Sequence, residues 1–115
     1  MKGDKMGEKR AFPRYAIDKQ LKGRYFLEGV DKRWEECIIL NISHIGICVR
    51  FQTKEAIDLG TTISLEIEIP EESKPLNVKG VLKWIWETGS VHEGGVELSS
   101  LLEESEWLKL IHFMS

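Results

Sequence analysis

With 115 residues, 42% of them hydrophobic and four tryptophans, the chain is the length of one domain and can build a core of its own. No run approaches the roughly 20 apolar residues of a membrane helix, and the start, MKGDKMGEKR, is charged where a secretion signal is apolar, so a soluble, cytoplasmic protein without membrane insertion is expected. The formal charge of −3 hides an asymmetry, since residues 1–24 carry net +5 and the other 91 carry net −8, and a cationic chain end suits a compact anion better than a polynucleotide.

Residues 1–8 are polar and aperiodic and read as a flexible N-terminal tail, leaving 9–115 as the domain. Pro13 restricts Phe12 to extended geometry, so residues 10–14 are not helical. From there the period is two. QLKGRYFLE sets Leu21, Gly23, Tyr25 and Leu27 on one face, and VDKR reads as a turn. WEECIILNI and IGICVRF are two β-rich runs joined at Ser43-His44 as a hairpin. TISLEIEI sends Ile63, Leu65, Ile67 and Ile69 inward, with Ser64, Glu66 and Glu68 outward. After the loop PEESKP, the run LNVKGVLKWIW places Leu76, Val78, Gly80, Leu82, Trp84 and Trp86 on one face, with Gly80 as the site of a bulge. ETGS is a second turn and VHEGGVEL a sixth strand.

The period then changes to that of a helix. Ser100 and Glu103 have the spacing of a capping box, Glu104 and Glu106 stand at the positive end of the helix dipole, and Trp107, Leu110, Ile111 and Met114 follow on one face. The fold class is therefore all-β: a six-stranded antiparallel split β-barrel with a C-terminal α-helix.

The residue types exclude several chemistries. No Ser/His/Asp order, HExxH or phosphate-binding loop is present, and His44, His92 and His112 are scattered, so no catalytic residues are assigned and an enzyme is not expected. Cys37 and Cys48 lie in hydrophobic runs without CxxC spacing, which argues against a metal site and for reduced core thiols. Trp84 and Trp86 could be a stacking platform for a single strand of nucleic acid, but their place in a strand pattern favours core packing, and the acidic body opposes polynucleotides.

Two short stretches remain. In RAFPR, Arg10 and Arg14 frame a Pro-stiffened segment; guanidinium groups grip phosphate oxygens or the O6/N7 edge of guanine and stack on bases, although arginines in a charged tail also serve solubility alone. In NISHIG, Asn41 and Ser43 offer hydrogen-bonding groups on the same side of a strand end, because residues i and i+2 share a face, and Gly46 permits a positive φ or a close approach of ligand to backbone; the same letters also make an ordinary hairpin turn.

In this order and strand context, Arg10-Ala-Phe-Pro-Arg14 and Asn41-Ile-Ser43-His-Ile-Gly46 resemble the RxxxR and [D/N]xSxxG signature of PilZ domains, and GGVEL at 94–98 is similar to that family's glycine-bearing final barrel strand. The resemblance spans residues 9–115. It implies a receptor for cyclic di-GMP, with no cofactor and no metal. Arg10 and Arg14 would meet the guanines and phosphates, Asn41 and Ser43 would bond a guanine edge, and Gly46 would leave room for it. Lys9 adds charge where family members differ in holding one ligand or a stacked pair, and favours the pair. Asn41 stands where aspartate is commoner, and a neutral amide bonds guanine N–H groups about half as strongly as a carboxylate.

The implied mechanism is an N-terminal segment that orders across the barrel on the ligand and so changes the surface offered to a partner. The implied outputs are motility, biofilm or exopolysaccharide control, through an unidentified downstream protein or self-association into a homodimer. The alternative is a PilZ-like barrel that ignores the nucleotide and serves as a protein-interaction module.

Overall fold

The structure is a computed structural model that describes residues 15–30, 33–53 and 55–114, with side chains for 21–30, 33–53 and 55–113. Lys9, Arg10 and Arg14 lie outside the described residues, and so does the expected tail at 1–8.

Six strands follow in chain order: β1 (Tyr15–Leu27), β2 (Glu35–Ile42), β3 (Gly46–Gln52), β4 (Thr62–Ile67), β5 (Leu76–Thr88) and β6 (Val91–Leu98). A single helix, α1 (Glu104–Met114), completes the described chain. The strands form a closed barrel in the order β1-β2-β3-β6-β5-β4, every neighbouring pair antiparallel, and β1 and β4 close the ring from Gly23↔Ile67 to Leu27↔Ile63. Among the described residues no helix is long and apolar enough to cross a membrane.

Alternation explains the interior. Leu21, Tyr25 and Leu27 of β1, and Ile63, Leu65 and Ile67 of β4, are buried in one core with Ile69, as the period-two reading requires. Burying each such side chain contributes about 1.5–3 kcal/mol. Tyr25, Phe51 and His92 form an aromatic stack within it: Tyr25 and Phe51 lie 4.6 Å apart, Phe51 and His92 5.6 Å. His92 is buried, its Nδ1 3.2 Å from the Ser90 carbonyl and its Nε2 3.4 Å from a Glu87 carboxylate oxygen. The β5–β6 turn holds Gly89 at φ 64°, in the left-handed region that glycine enters without steric cost.

Besides a register shift of β1 on β2 between Ala16 and Leu21, alternation breaks at single-residue bulges in β2 and β5, and each of these moves side chains to the opposite face. The β2–β3 register shifts between Ile39 and Asn41, and the β5–β6 register shifts between Leu82 and Trp84. One extra residue in a strand re-aims everything beyond it. Ile39 and Ile42 are therefore both in the core, with Leu40 as the inserted residue between them. On β5, Leu82 is fully buried while Trp84 and Trp86 are 42% and 69% exposed. This corrects the expectation that both tryptophans share the core face of Leu82. The bulge also sits at Lys83, and Gly80 is regularly paired with Ile63 and Leu98. Gly80 is required for another reason: a Cβ there would run into the backbone carbonyl of Glu97 and Val96 Cγ1.

The helix starts three residues later than Ser100 would set it. Glu103 is the cap: its N–H donates to Glu106 Oε1 at 3.1 Å, and its carbonyl accepts the first helical bond, from Trp107 N–H at 2.9 Å. The preceding segment is tied to the barrel and to the β2–β3 turn through its amides. Leu98 donates to the Ile45 carbonyl at 2.8 Å, Ser99 to Lys79 at 2.9 Å and Leu102 to His44 at 3.0 Å.

Cys37 and Cys48 are both buried free thiols. Burial pushes the Cys37 thiol up from 9.0 to about 12. The unfolded chain ionises this thiol near 9.0 and the folded chain does not, so its contribution to stability is intact below that pH and shrinks as pH rises toward 12. At one unit above the unfolded value the loss is about 1.4 kcal/mol. Urea melts at pH 8 and 10 are expected to show this decline, and a Cys37→Ala variant to lack that share of it; equal slopes would refute the assignment.

Candidate nucleotide-binding face

The two bulges act on one place. With Ile42 and Ile47 paired and both fully buried, their neighbours Asn41 and Cys48 fall on the outer face of the barrel. Cys48 pairs with Gly95, and Gly95 pairs with Trp84. Asn41, Cys48, Gly95 and Trp84 thus form a row across four adjacent strands, β2-β3-β6-β5, spanning roughly 14 Å along the sheet at the usual interstrand spacing. Without the bulge at Leu40, Asn41 would share the inward parity of Ile39; without the bulge at Lys83, Trp84 would share that of Leu82. Bulges are common beside functional sites because they re-aim single side chains.

Gly95 is what lets the indole lie down. A Cβ at this position would fall among Trp84 Nε1, Cε2 and Cδ1, so only glycine admits the ring across the strand. Cys48 beside it is buried although it faces outward. The middle of the row is therefore low, with an amide at one end and an aromatic ring at the other.

Ser43 takes a different role from Asn41. It lies just past the end of β2, is 1% exposed, and its hydroxyl is occupied within the turn. Oγ accepts from the N–H groups of Ile45 at 3.3 Å and Gly46 at 3.1 Å, and lies 3.3 Å from the Gly46 carbonyl, to which it donates. The Ser43 N–H also donates to that carbonyl, at 2.8 Å. One donor and two acceptors are all that a hydroxyl offers. The expectation that Ser43 and Asn41 share a face, which rested on their i, i+2 spacing, is corrected by the strand ending at Ile42. Ser43 holds the turn in shape. Gly46 opens β3 in extended conformation, paired with Glu97; the positive-φ glycines among the described residues are Gly29, Gly60 and Gly89.

Charge around the row is balanced. In the next row Arg50 directs Nε and Nη2 to one Glu93 oxygen at 3.2 and 2.8 Å, and Lys83 lies 3.4 Å from Glu97. A dianion bound here needs cations from elsewhere, and the topology says from where. Tyr15 and Ala16, the first residues of β1, pair with Ile42 and Asn41. The sequence that carries Lys9, Arg10 and Arg14 therefore joins the barrel at the Asn41 end of the row.

A different hollow, about 460 Å³, opens around the 70–75 loop, lined by Lys22, Arg24 and Lys74 but also by Glu66, Glu68, Glu71 and Glu72. Arg24 is already held by Glu66 at 2.6 Å. Four carboxylates make it a poor site for phosphate. Trp84 is the residue that sequence reasoning missed, and the signal that could have found it is Gly-Gly at 94–95, because a paired glycine on an outer face invites a ring.

Comparison with known proteins agrees with this architecture. The solved structure of the Bacillus subtilis inhibitor of motility (MotI/DgrA) is similar with a TM-score of 0.66 at 20% identity, over 91% of this chain and 49% of that one. The Borreliella burgdorferi PlzA protein, solved in complex with c-di-GMP, is similar with a TM-score of 0.61 at 17% identity, over 96% and 43%. The chain thus spans about half the length of these solved relatives. No curated protein gives a significant sequence match. The family model for the PilZ domain matches residues 8–114, nearly the whole sequence, and the chain belongs to the PilZ domain family.

Proposed function

We propose that this domain is a receptor for cyclic di-GMP and acts without catalysis of its own. The observation that carries the reading is the row from Asn41 to Trp84, set on the outer face by two bulges, beside the point where the arginine-bearing sequence enters β1. Each part matches a part of the ligand. Asn41 donates to and accepts from a guanine edge. Trp84 offers an aromatic ring to a base, an interaction worth about 1–3 kcal/mol per base. Arg10 and Arg14 supply the charge that the row itself lacks, with Lys9 beside them. Ser43 and Gly46 fix the turn that presents Asn41. The segment containing the arginines closes over the bound nucleotide, and the altered surface is passed to a protein partner. The PlzA complex supports the ligand, and the MotI name supports motility as one output class.

Isothermal titration of the protein with cyclic di-GMP tests this, with GTP and a single-stranded oligonucleotide as controls. Micromolar or tighter binding of the cyclic dinucleotide alone is expected, with the molar ratio distinguishing one ligand from a stacked pair. Absence of heat at any accessible concentration would sink the receptor reading and leave a protein-interaction module.

A further inference from the structure

The turn that presents Asn41 has a second attachment. Its residues Ser43 to Ile45 are held on one side by Ser43 Oγ, and on the other by the chain leading into α1. The His44 carbonyl accepts from Leu102 N–H at 3.0 Å, and the Ile45 carbonyl accepts from Leu98 N–H at 2.8 Å. The His44 ring meets the indole of Trp107 with centroids 4.0 Å apart at 38°. Trp107 is one of the side chains, with Leu110 and Leu102, that join the helix and its approach to the core. The face of α1 that bears Leu108 is exposed. The first turn of the helix is thus seated, through Trp107, on His44, three residues past the Asn41 that faces the proposed ligand.

We infer that His44 couples occupancy of the nucleotide site to the docking of α1. The inference rests on the receptor reading given above. A ligand held by Asn41, at the root of the turn, restricts the turn's motion. The helix then docks on a turn whose ordering is already complete, which is positive cooperativity without a change of shape. Reciprocity follows: a docked helix raises nucleotide affinity by the same factor that the nucleotide raises helix protection. His44 is a positioning residue here, acting on α1 through the Trp107 ring.

Amide hydrogen exchange across α1, with and without saturating cyclic di-GMP, reads the coupling directly, and β6 amides report whether the barrel stays intact. In the wild type, ligand is expected to slow α1 exchange by about fivefold or more, the lower end of ordinary coupling. His44→Ala and Trp107→Leu should each cut that effect to about twofold or less and weaken nucleotide affinity by the factor lost, with the double variant no weaker than either single one. His44→Phe, which keeps a ring on the indole, should retain the effect. Binding with unchanged α1 exchange would overturn the link alone. So would full affinity in Trp107→Leu beside a loss in His44→Ala, because His44 would then be touching the ligand instead. No binding by the wild type would overturn the receptor reading and the link with it.

Discussion

An Arg10→Ala/Arg14→Ala double variant is expected to lose cyclic di-GMP binding by a factor of about 10²–10⁴. Hydrogen bonds to charged groups contribute about 1.5–3 kcal/mol each, so two arginines carry about 3–6 kcal/mol, and each 1.4 kcal/mol is tenfold in Kd. The described part of the site offers no substitute cation: Arg50 is committed to Glu93 and Lys83 lies against Glu97. The melting temperature of the double variant without ligand is the control that separates lost binding from lost folding. Arg10→Lys/Arg14→Lys separates charge from geometry. Lysine keeps the charge but cannot present two parallel N–H groups to phosphate or to a guanine edge, so this variant should recover only part of the affinity. Titration calorimetry of the three proteins decides it. A double alanine variant within threefold of the wild type would mean that the ligand is held elsewhere.

Tyr25→Ala is expected to be the most damaging single change in the barrel. The side chain is 1% exposed, packs on Phe51 at 4.6 Å, and donates its hydroxyl to the Gln52 carbonyl at 3.2 Å. Truncating a buried aromatic costs about 3–5 kcal/mol, against total stabilities of about 5–15 kcal/mol for small domains. Tyr25→Phe removes only the hydroxyl and its bond, so about 0.5–1.5 kcal/mol is expected. Urea denaturation of both variants reads the difference as a shift in midpoint at constant slope. A Tyr25→Ala loss no larger than that of Tyr25→Phe would show that the stack with Phe51 and His92 contributes little.

Much of this architecture is written in the period of the hydrophobic residues. From Leu21 to Leu27 in β1 and through β4 the alternation is regular and the inward residues follow from it, whereas the start of β1 at Tyr15 and its register shift between Ala16 and Leu21 do not. The turns at Ser43-His44 and at Gly89 follow from their residue types in the same way. What escaped has a common cause. A bulge is one residue of phase error, and nothing in LNVKGVLKWIW marks Lys83 as the extra residue, so Trp84 and Trp86 took the parity of Leu82. At Asn41 the same kind of error would have pointed the side chain into the core, and only the motif, not the period, assigned it outward. Ser100 lost the helix cap to Glu103, and the long-range backbone bonds from Leu98, Ser99 and Leu102 that tie the stretch around it to β5 and to the β2–β3 turn are not contained in local spacing. Ser43 turned inward because its three hydrogen bonds lie within its own turn. Arg10 and Arg14 remain legible only as sequence.

The strand order has a consequence for when the protein can respond at all. β6 is the last strand made, and it lies between β3 and β5. Asn41 and Trp84 therefore belong to one surface only after β6 has been inserted and Gly95 has joined the two halves. Such a join depends on pairing between residues distant in the chain, such as Cys48 and Gly95, which forms late and cooperatively in β proteins. A nascent or partly unfolded chain holds the arginine motif and the Asn41 hairpin but not the face between them. On the proposed reading, such a chain is deaf to the signal, and only finished molecules are counted in the response.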